Sequence, residues 1–402
     1  MNKAKCCGCR ACEQICPKQC IKIYEDKNGF VYPKINEKEC IHCNMCKKVC
    51  PMINSEEAKN KEGKAYALIH KDKNVINQSS SGGAFTAIAE SIANEYEGNY
   101  AIYGATMDKR LKVKHIGITN IEDIHLLQKS KYIQSDMKDV FCGIKEDLNA
   151  NKTVLFVGTP CQVAAVKLYT QNIKKGKLIL IDLVCHGVPS QKIFDQYIQS
   201  LEKKENEAIV NYEFRKRHKL LNIIDSSSIM YTLEKEEKYK NIYKYSFEDE
   251  YMKAFFDGLI YRPSCYSCPF ATAKRTGDIT IADFWGIEKR NPKLNPQKGI
   301  SLVIINNVNY NNLCEKLRYA VNEREEDYKF AIENNNSLRR PSKKNNYYEE
   351  FLRELNKGDF CEIVNKYVKK KSKIEFYIAR ILPENIVNKL RSFLKRSDWS
   401  EN

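Results

Sequence analysis

The sequence has no apolar run approaching the ~20 residues needed to cross a bilayer. Its longest apolar stretch, residues 178–185, is interrupted by Asp182. Residues 1–6 hold no apolar segment of the secretory kind. These two absences give the expectation of a cytoplasmic protein. Neither of its glycine-bearing loops matches G-x-G-x-x-G or a Walker sequence, so no nucleotide site is announced by motif. No three cysteines have the C-x3-C-x2-C spacing that a radical-SAM reading needs. No strip of interleaved basic and aromatic residues is visible either. Nucleic acid is therefore not an expected partner, despite a formal charge of +16 and a pI near 9.0.

What the chain has in abundance is cysteine: 17 in 402 residues, ten of them before residue 51. So tight and regular a pattern is not a spread disulfide framework. In an enzyme-sized chain it indicates metal binding in a reducing compartment. Cys6, Cys9, Cys12 and Cys16 followed by Pro17 fit C-x2-C-x2-C-x3-C-P, and Cys40, Cys43, Cys46 and Cys50 followed by Pro51 fit it again. In such a pair of runs the fourth cysteine of each ligates the other cluster. Cys6, Cys9, Cys12 and Cys50 are thus expected to hold one 4Fe–4S cluster, and Cys40, Cys43, Cys46 and Cys16 a second. Cys7 and Cys20 fall outside the ligand set and are expected to pack nearby. Two zinc sites are the alternative, since CxxC pairs also suit zinc. Two consecutive three-plus-one runs with trailing prolines speak against it.

The remaining pattern divides the chain into four regions. Residues 1–55 are an α+β ferredoxin-like module with two clusters, joined by a short charged linker to the next region. Residues 65–150 and 151–310 alternate strands and helices, which points to an α/β domain with a largely parallel sheet. Strands are expected at 65–69, 100–106, 153–157, 178–184, 278–282 and 300–305, and helices at 84–96, 162–169 and 193–203. Residues 205–250 read as an insertion or a small antiparallel region. Residues 311–402 read as a basic helical tail, with the core ending around 342–348.

Two further constellations lie in the α/β region. Cys161 follows one buried strand and Cys185 ends the next, while Cys265 and Cys268 form a CxxC before Pro269. Sites in open α/β sheets form at the carboxyl ends of strands, so these four could converge on a third cluster. Equally, Cys161 and Cys185 are of the kind that simply fills a core. The loop Ser79, Ser80, Ser81, Gly82, Gly83 opens a helix and could cradle a phosphate, as could Gly158 and Thr159 before the helix containing Gln162. Lys129, Ser130, Lys131 and Tyr132 add cation, hydroxyl and aromatic surface. Serine N-capping of a helix accounts for such a start just as well.

At these residues the sequence resembles the family of coenzyme F420 hydrogenase/dehydrogenase beta subunits, in the form with an N-terminal ferredoxin module. The resemblance rests on stretches at 80–85, 130–135, 158–164, 185–190, 265–270 and 277–286, in order along the chain. It implies an iron–sulfur flavoprotein oxidoreductase that uses FAD to pass electrons between a hydride-carrying substrate, F420-like or other, and 4Fe–4S clusters. It implies that Cys161, Cys185, Cys265 and Cys268 hold the third cluster and that the two glycine-bearing loops hold FAD. Lys129, Lys131 and His186 become candidates to stabilise flavin or substrate charge, against the plainer roles of surface lysine and core-lining histidine. The partner is then a redox protein or a hydride-carrying small molecule. The rival is a ferredoxin-type electron-carrier subunit without a substrate site of its own. Finally, the basic run 366–373 and the amphipathic stripe 386–396 suggest contact with an anionic membrane surface, where packing on the protein's own core is the alternative.

Overall fold

The computed structural model of the chain describes residues 3–60, 63–220, 223–294 and 299–368. Its N-terminal module is organised by the internal repeat. Each cysteine run turns through left-handed residues at equivalent positions: Gly8 (φ 68°) and Arg10 (φ 65°) in the first, His42 (φ 52°) and Asn44 (φ 59°) in the second. A left-handed conformation costs a non-glycine residue on the order of 1 kcal/mol, so its recurrence in both runs marks a backbone imposed by the motif. Each turn leads into a one-turn helix, Ala11–Gln14 or Met45–Lys48. Between the runs lies an antiparallel hairpin of β1 (Ile21–Glu25) and β2 (Val31–Ile35). Its turn is fixed by the Asp26 carboxylate, which accepts from the Asn28 and Phe30 N–H groups at 2.9 and 3.0 Å.

The body contains β3 (Lys64–His70), β4 (Tyr100–Met107), β5 (Val113–Ile118), β6 (Thr153–Gly158) and β7 (Lys177–Leu183). Next come β8 (Ala208–Leu220), β9 (Ile223–Lys235) and β10 (Lys238–Tyr245), which make a separate antiparallel sheet in the region read as an insertion. The last strands are β11 (Ile279–Asp283), β12 (Ser301–Ile305) and β13 (Val321–Glu326). The main sheet has the order β13-β3-β12-β11-β7-β6-β4-β5. Only its centre, β11-β7-β6-β4, is parallel, and every flanking pairing is antiparallel. The largely parallel sheet expected from alternation is therefore mixed. Helices Pro160–Thr170 and Ala84–Glu95 make crossovers for the central strands, whereas β5 returns beside β4 after a short turn with no helix to carry it across.

Period-two alternation places the two core layers. Leu155 and Val157 of β6 pack under the helix Ala84–Glu95, while Val154 and Phe156 face the helices Val140–Asn149 and Pro160–Thr170. All of β6 is buried, which is why it reads as an unbroken apolar run. A third core, rich in aromatic residues, joins the helix Gln191–Glu205 to the antiparallel sheet. Phe194, Tyr197, Tyr212, Phe214 and Tyr251 meet there.

The C-terminal region differs from the expected helical tail. It contributes β13 to the sheet edge, and the core does not end near residue 342. Helices Tyr348–Leu355 and Phe360–Tyr367 insert Phe351, Leu352, Leu355, Phe360 and Val364 into the aromatic core. Lys366 is paired with Glu354 at 2.6 Å on the protein's own surface. The rest of the basic run and the stripe 386–396 lie outside the described residues. Among the described residues, no helix is long and apolar enough to cross a membrane.

Candidate functional site: a cysteine relay ending in a polar-edged cavity

The twelve candidate cysteines gather into three neighbouring groups. Cys12, pushed up to about 12 by burial and then by Cys6, Cys50 and Cys46, has the other thiols of its expected set around it. Cys9 acts on the same group through Cys12 and Cys50. Cys46 has Cys43 and Cys40 as neighbours. Cys16 reaches that second group through Cys20, whose sulfur lies 3.4 Å away and which in turn neighbours Cys40. Cys20, outside the ligand set, thus packs beside it.

Cys161, Cys185 and the Cys265/Cys268 pair come from three separate points of the chain and lie close enough to act on one another. Burial raises the Cys185 thiol, and so do Cys265, Cys161 and Cys268 in that order. Burial and then Cys268 push Cys265 up to about 12, while burial and then Cys161 push Cys268 up to about 11. Four crowded thiols that each disfavour the others' ionisation form an uncompensated site, and a bound cationic centre reverses that penalty. The donor set fits an iron–sulfur group on this ground. Among the described residues, one set of three potential ligands already has all its ligand atoms within 4.8 Å of one another: Glu37, Cys40 and His42, on the exposed edge of the second run. Cys7 links the groups, since its buried thiol packs in one cluster with Cys9 and Cys161, and both neighbours act on its ionisation.

A cavity of about 290 Å³ begins where this relay ends, with Cys161 and Cys185 in its wall. That volume is at the lower end of ligand pockets, roughly 300 Å³ upward. The cavity opens at the carboxyl ends of β6, β7 and β11, where α/β sheets bind ligands. Of the candidate residues, Ser80, Ser81, Gly83, Lys129, Ser130, Lys131, Tyr132, Gly158, Thr159, Gln162 and His186 all line it. Gly82 does not. A Cβ at Gly82 would lie 2.2 Å from the Leu68 carbonyl oxygen and 2.6 Å from the Ser301 nitrogen. Its glycine serves the packing of the loop against β3 and β12, reinforced by the Gly82 N–H donating to Ser301 Oγ at 2.9 Å.

Other candidates are already engaged. Gln162 Oε1 accepts from the Thr159 N–H at 3.0 Å and its amide donates to Ser135 Oγ at 2.9 Å, closing the start of the helix Pro160–Thr170. Lys129 is neutralised by Glu213 at 2.7 Å. Lys131 has only the Gln128 carbonyl, at 2.6 Å, as a hydrogen-bond partner among the described residues. Burial, and then the charge of Lys129, push its amine down to about 7. His186 opens on the cavity and is held below its ordinary value by desolvation, against the pull of Asp283.

Three further wall residues were not among the candidates. His115 is buried on β5, stacked on Phe156 at 5.3 Å. Its Nε2 donates to the Val157 carbonyl at 3.0 Å, and burial pushes it down to about 4, so the ring is neutral. Its Nδ1, like Ser81 Oγ, is buried without a hydrogen-bond partner. Two orphaned polar atoms in one cavity wall fit a polar cofactor. Arg215 forms a bidentate pair with Asp283 at 2.6 and 3.2 Å. Asp283 sits in one of the stretches carrying the resemblance, but His115 and Arg215 lie on strands where a single polar residue gives no spacing to read.

Residues 5–53 match the 4Fe-4S dicluster domain, the class of iron–sulfur module to which the two cysteine runs point. Residues 151–328 match the family described as the C terminus of the beta subunit of coenzyme F420 hydrogenase/dehydrogenase. Residues 151–328 are thus similar to that family of beta subunits, and they follow an N-terminal stretch that matches a dicluster domain. The chain is similar to the F subunit of the F(420)H(2) dehydrogenase of Methanosarcina mazei, being 25% identical over 139 residues, or 34% of this chain and 39% of that protein. The matched stretch is thus about two-fifths of the relative's length. A solved chain of the F420-reducing NiFe hydrogenase complex from Methanosarcina barkeri is 16% identical, with 77% of this chain and 92% of that one covered and a TM-score of 0.44.

Proposed function

We propose that the chain is an iron–sulfur flavoprotein that passes electrons between a hydride-carrying small molecule and three 4Fe–4S centres, with FAD in the cavity. The observation that carries this reading is contiguity. Cys161 and Cys185 stand in one wall of the cavity, and Cys161 packs in the same cluster as Cys7 and Cys9 of the dicluster module. A bound FAD supplies the exchange between paired and single electrons that neither a hydride donor nor a cluster makes alone.

The chain's own residues have separable tasks in this reading. Cys6, Cys9, Cys12 and Cys50 hold one cluster, Cys40, Cys43, Cys46 and Cys16 the next, and Cys161, Cys185, Cys265 and Cys268 the third. The N–H groups and hydroxyls of Ser80, Ser81 and Gly83, at the start of a twelve-residue helix, suit a phosphate. Lys131 Nζ, close to half-protonated at neutral pH, offers a positive charge or a proton to a reacting group. His186 opens on the same space. The neutral His115 offers an acceptor at Nδ1. The packed wall of Leu127, Ile133, Val157 and Phe255 excludes water from between them.

F420 is the first hydride carrier to test, because the family and the Methanosarcina mazei relative are both named for it. Protein purified under anaerobic conditions should hold about 12 iron and 12 sulfide per chain, from three four-iron centres, and one FAD. A brown protein with full iron and no flavin would leave the electron-carrier subunit as the better reading.

A further inference from the structure

Among the described residues two arginines are almost completely buried: Arg275, 1% exposed, and Arg262, 0% exposed. Arg275 has its counter-charge in Asp182, at 2.9 Å. Among the described residues Arg262 has no carboxylate in ion-pair range. Its guanidinium is met only by dipoles and rings. Nε donates to Gln134 Oε1 at 2.8 Å, and the terminal nitrogens donate to the Cys6 and Val31 carbonyls at 3.1 Å each. The rings of Phe30 and Tyr32 lie at 5.2 and 4.9 Å. Burying an ion without an opposite charge costs several kcal/mol, so its retention calls for negative charge nearby.

Its surroundings supply two candidates. The side chain reaches the loop of the first cysteine run, where Gly8 makes room for it: a Cβ at Gly8 would stand 2.5 Å from a guanidinium nitrogen. The backbone of Arg262 belongs to the other group. Its carbonyl accepts from the Cys265 N–H at 2.9 Å, and its N–H donates to Val188, three residues past Cys185, at 2.9 Å. The charge also acts on the Cys161 and Cys265 thiols. Arg262 therefore stands between the set of Cys6, Cys9, Cys12 and Cys50 and the set of Cys161, Cys185, Cys265 and Cys268.

We propose that Arg262 is a positioning residue for electron transfer: it clamps the first module loop against the Cys265 loop and, as a buried cation shared by both centres, raises their reduction potentials. This rests on the iron–sulfur reading above. Four thiolates leave a 4Fe–4S cluster with net negative charge that grows when it accepts an electron. A nearby fixed cation favours the reduced form, one of the terms that sets cluster potentials.

The test is an EPR-monitored redox titration of full-length protein, with iron and sulfide quantified in each sample. With metal content retained, Arg262→Gln should shift the reduction equilibrium of two centres at least tenfold toward the oxidised form, about 59 mV for a one-electron couple. The third centre should stay in place. Arg262→Lys, which keeps the charge and loses the fork, should shift them less. Unchanged potentials in an iron-replete Arg262→Gln protein overturn the proposal. If Arg262→Gln loses iron, the lysine variant decides. Recovery of iron with Lys supports the role of the charge, and loss with Lys as well overturns it. Wild-type protein lacking iron would instead overturn the functional reading itself.

Discussion

Ser81 and Gly82 are neighbours with opposite roles. Ser81 Oγ is buried without a hydrogen-bond partner in the cavity wall. Ser81→Ala should therefore leave the melting temperature of the flavin-free protein unchanged or slightly higher. It should also weaken FAD retention by roughly tenfold, the worth of one hydrogen bond; dialysis against FAD with fluorescence readout measures this. Gly82→Ala drives a Cβ into the backbone of β3 and β12. It should destabilise the protein by about 2–4 kcal/mol whether or not flavin is present, so flavin loss in a Gly82 variant reports folding rather than phosphate contact. Lys131 carries a pH signature. Its amine is depressed from the ordinary lysine value near 10.4 to about 7, by burial and then by Lys129. Between these values the unfolded chain binds a proton the folded one does not. Stability from this group is thus fully present above about 10, and it is lost as pH falls toward 7. Lys131→Met should stabilise the flavin-free protein by about 1–3 kcal/mol at pH 7 and flatten its stability against pH across that window. Chemical denaturation of both proteins from pH 6 to 9.5 tests the difference.

The repeated cysteine runs were legible at the level of elements because the motif is compact: its ligands lie three or four residues apart, and the backbone follows. Cys12→Ser and Cys185→Ser should each lower the iron content by up to about four atoms per chain, and from different centres. The EPR signals lost should differ between the two, and an identical loss would merge the groups. The central strands were legible for a related reason. Residues such as Val154, Leu155, Phe156 and Val157 are buried on both faces of the sheet, so the apolar run itself defines the strand. The flanks were not legible. β13, with the sequence Val-Asn-Glu-Arg-Glu-Glu, is a charged edge strand whose outward residues resemble a helix surface. Whether β12 or β5 runs with or against its neighbour is decided by how the chain returns, not by strand composition. At the site the same divide holds. Loops with Ser, Gly and Cys announced themselves, whereas His115, Arg215 and Arg262 acquire meaning only from what the fold brings beside them.

For the whole molecule, the C-terminal helices are part of the body. Phe351, Leu352, Leu355, Phe360 and Val364 are all buried, at about 1.5–3 kcal/mol each. Their sum is comparable to the net stability of a typical domain, roughly 5–15 kcal/mol. A chain ending at residue 341 should fail to melt cooperatively and should aggregate on size-exclusion chromatography. The dicluster module is likewise built into the body. Gln134 donates to the Cys7 carbonyl at 2.8 Å, Ser190 Oγ to the Asn28 carbonyl at 2.5 Å, and Lys192 Nζ to the Lys27 carbonyl at 2.8 Å, beside the contacts of Arg262. A carrier on a loose tether must diffuse to its donor on each turnover, so its throughput slows as the medium thickens. Here the separation between centres is fixed by folded backbone. Internal electron passage should accordingly be indifferent to added glycerol or sucrose, and viscosity should slow only the arrival of outside reactants.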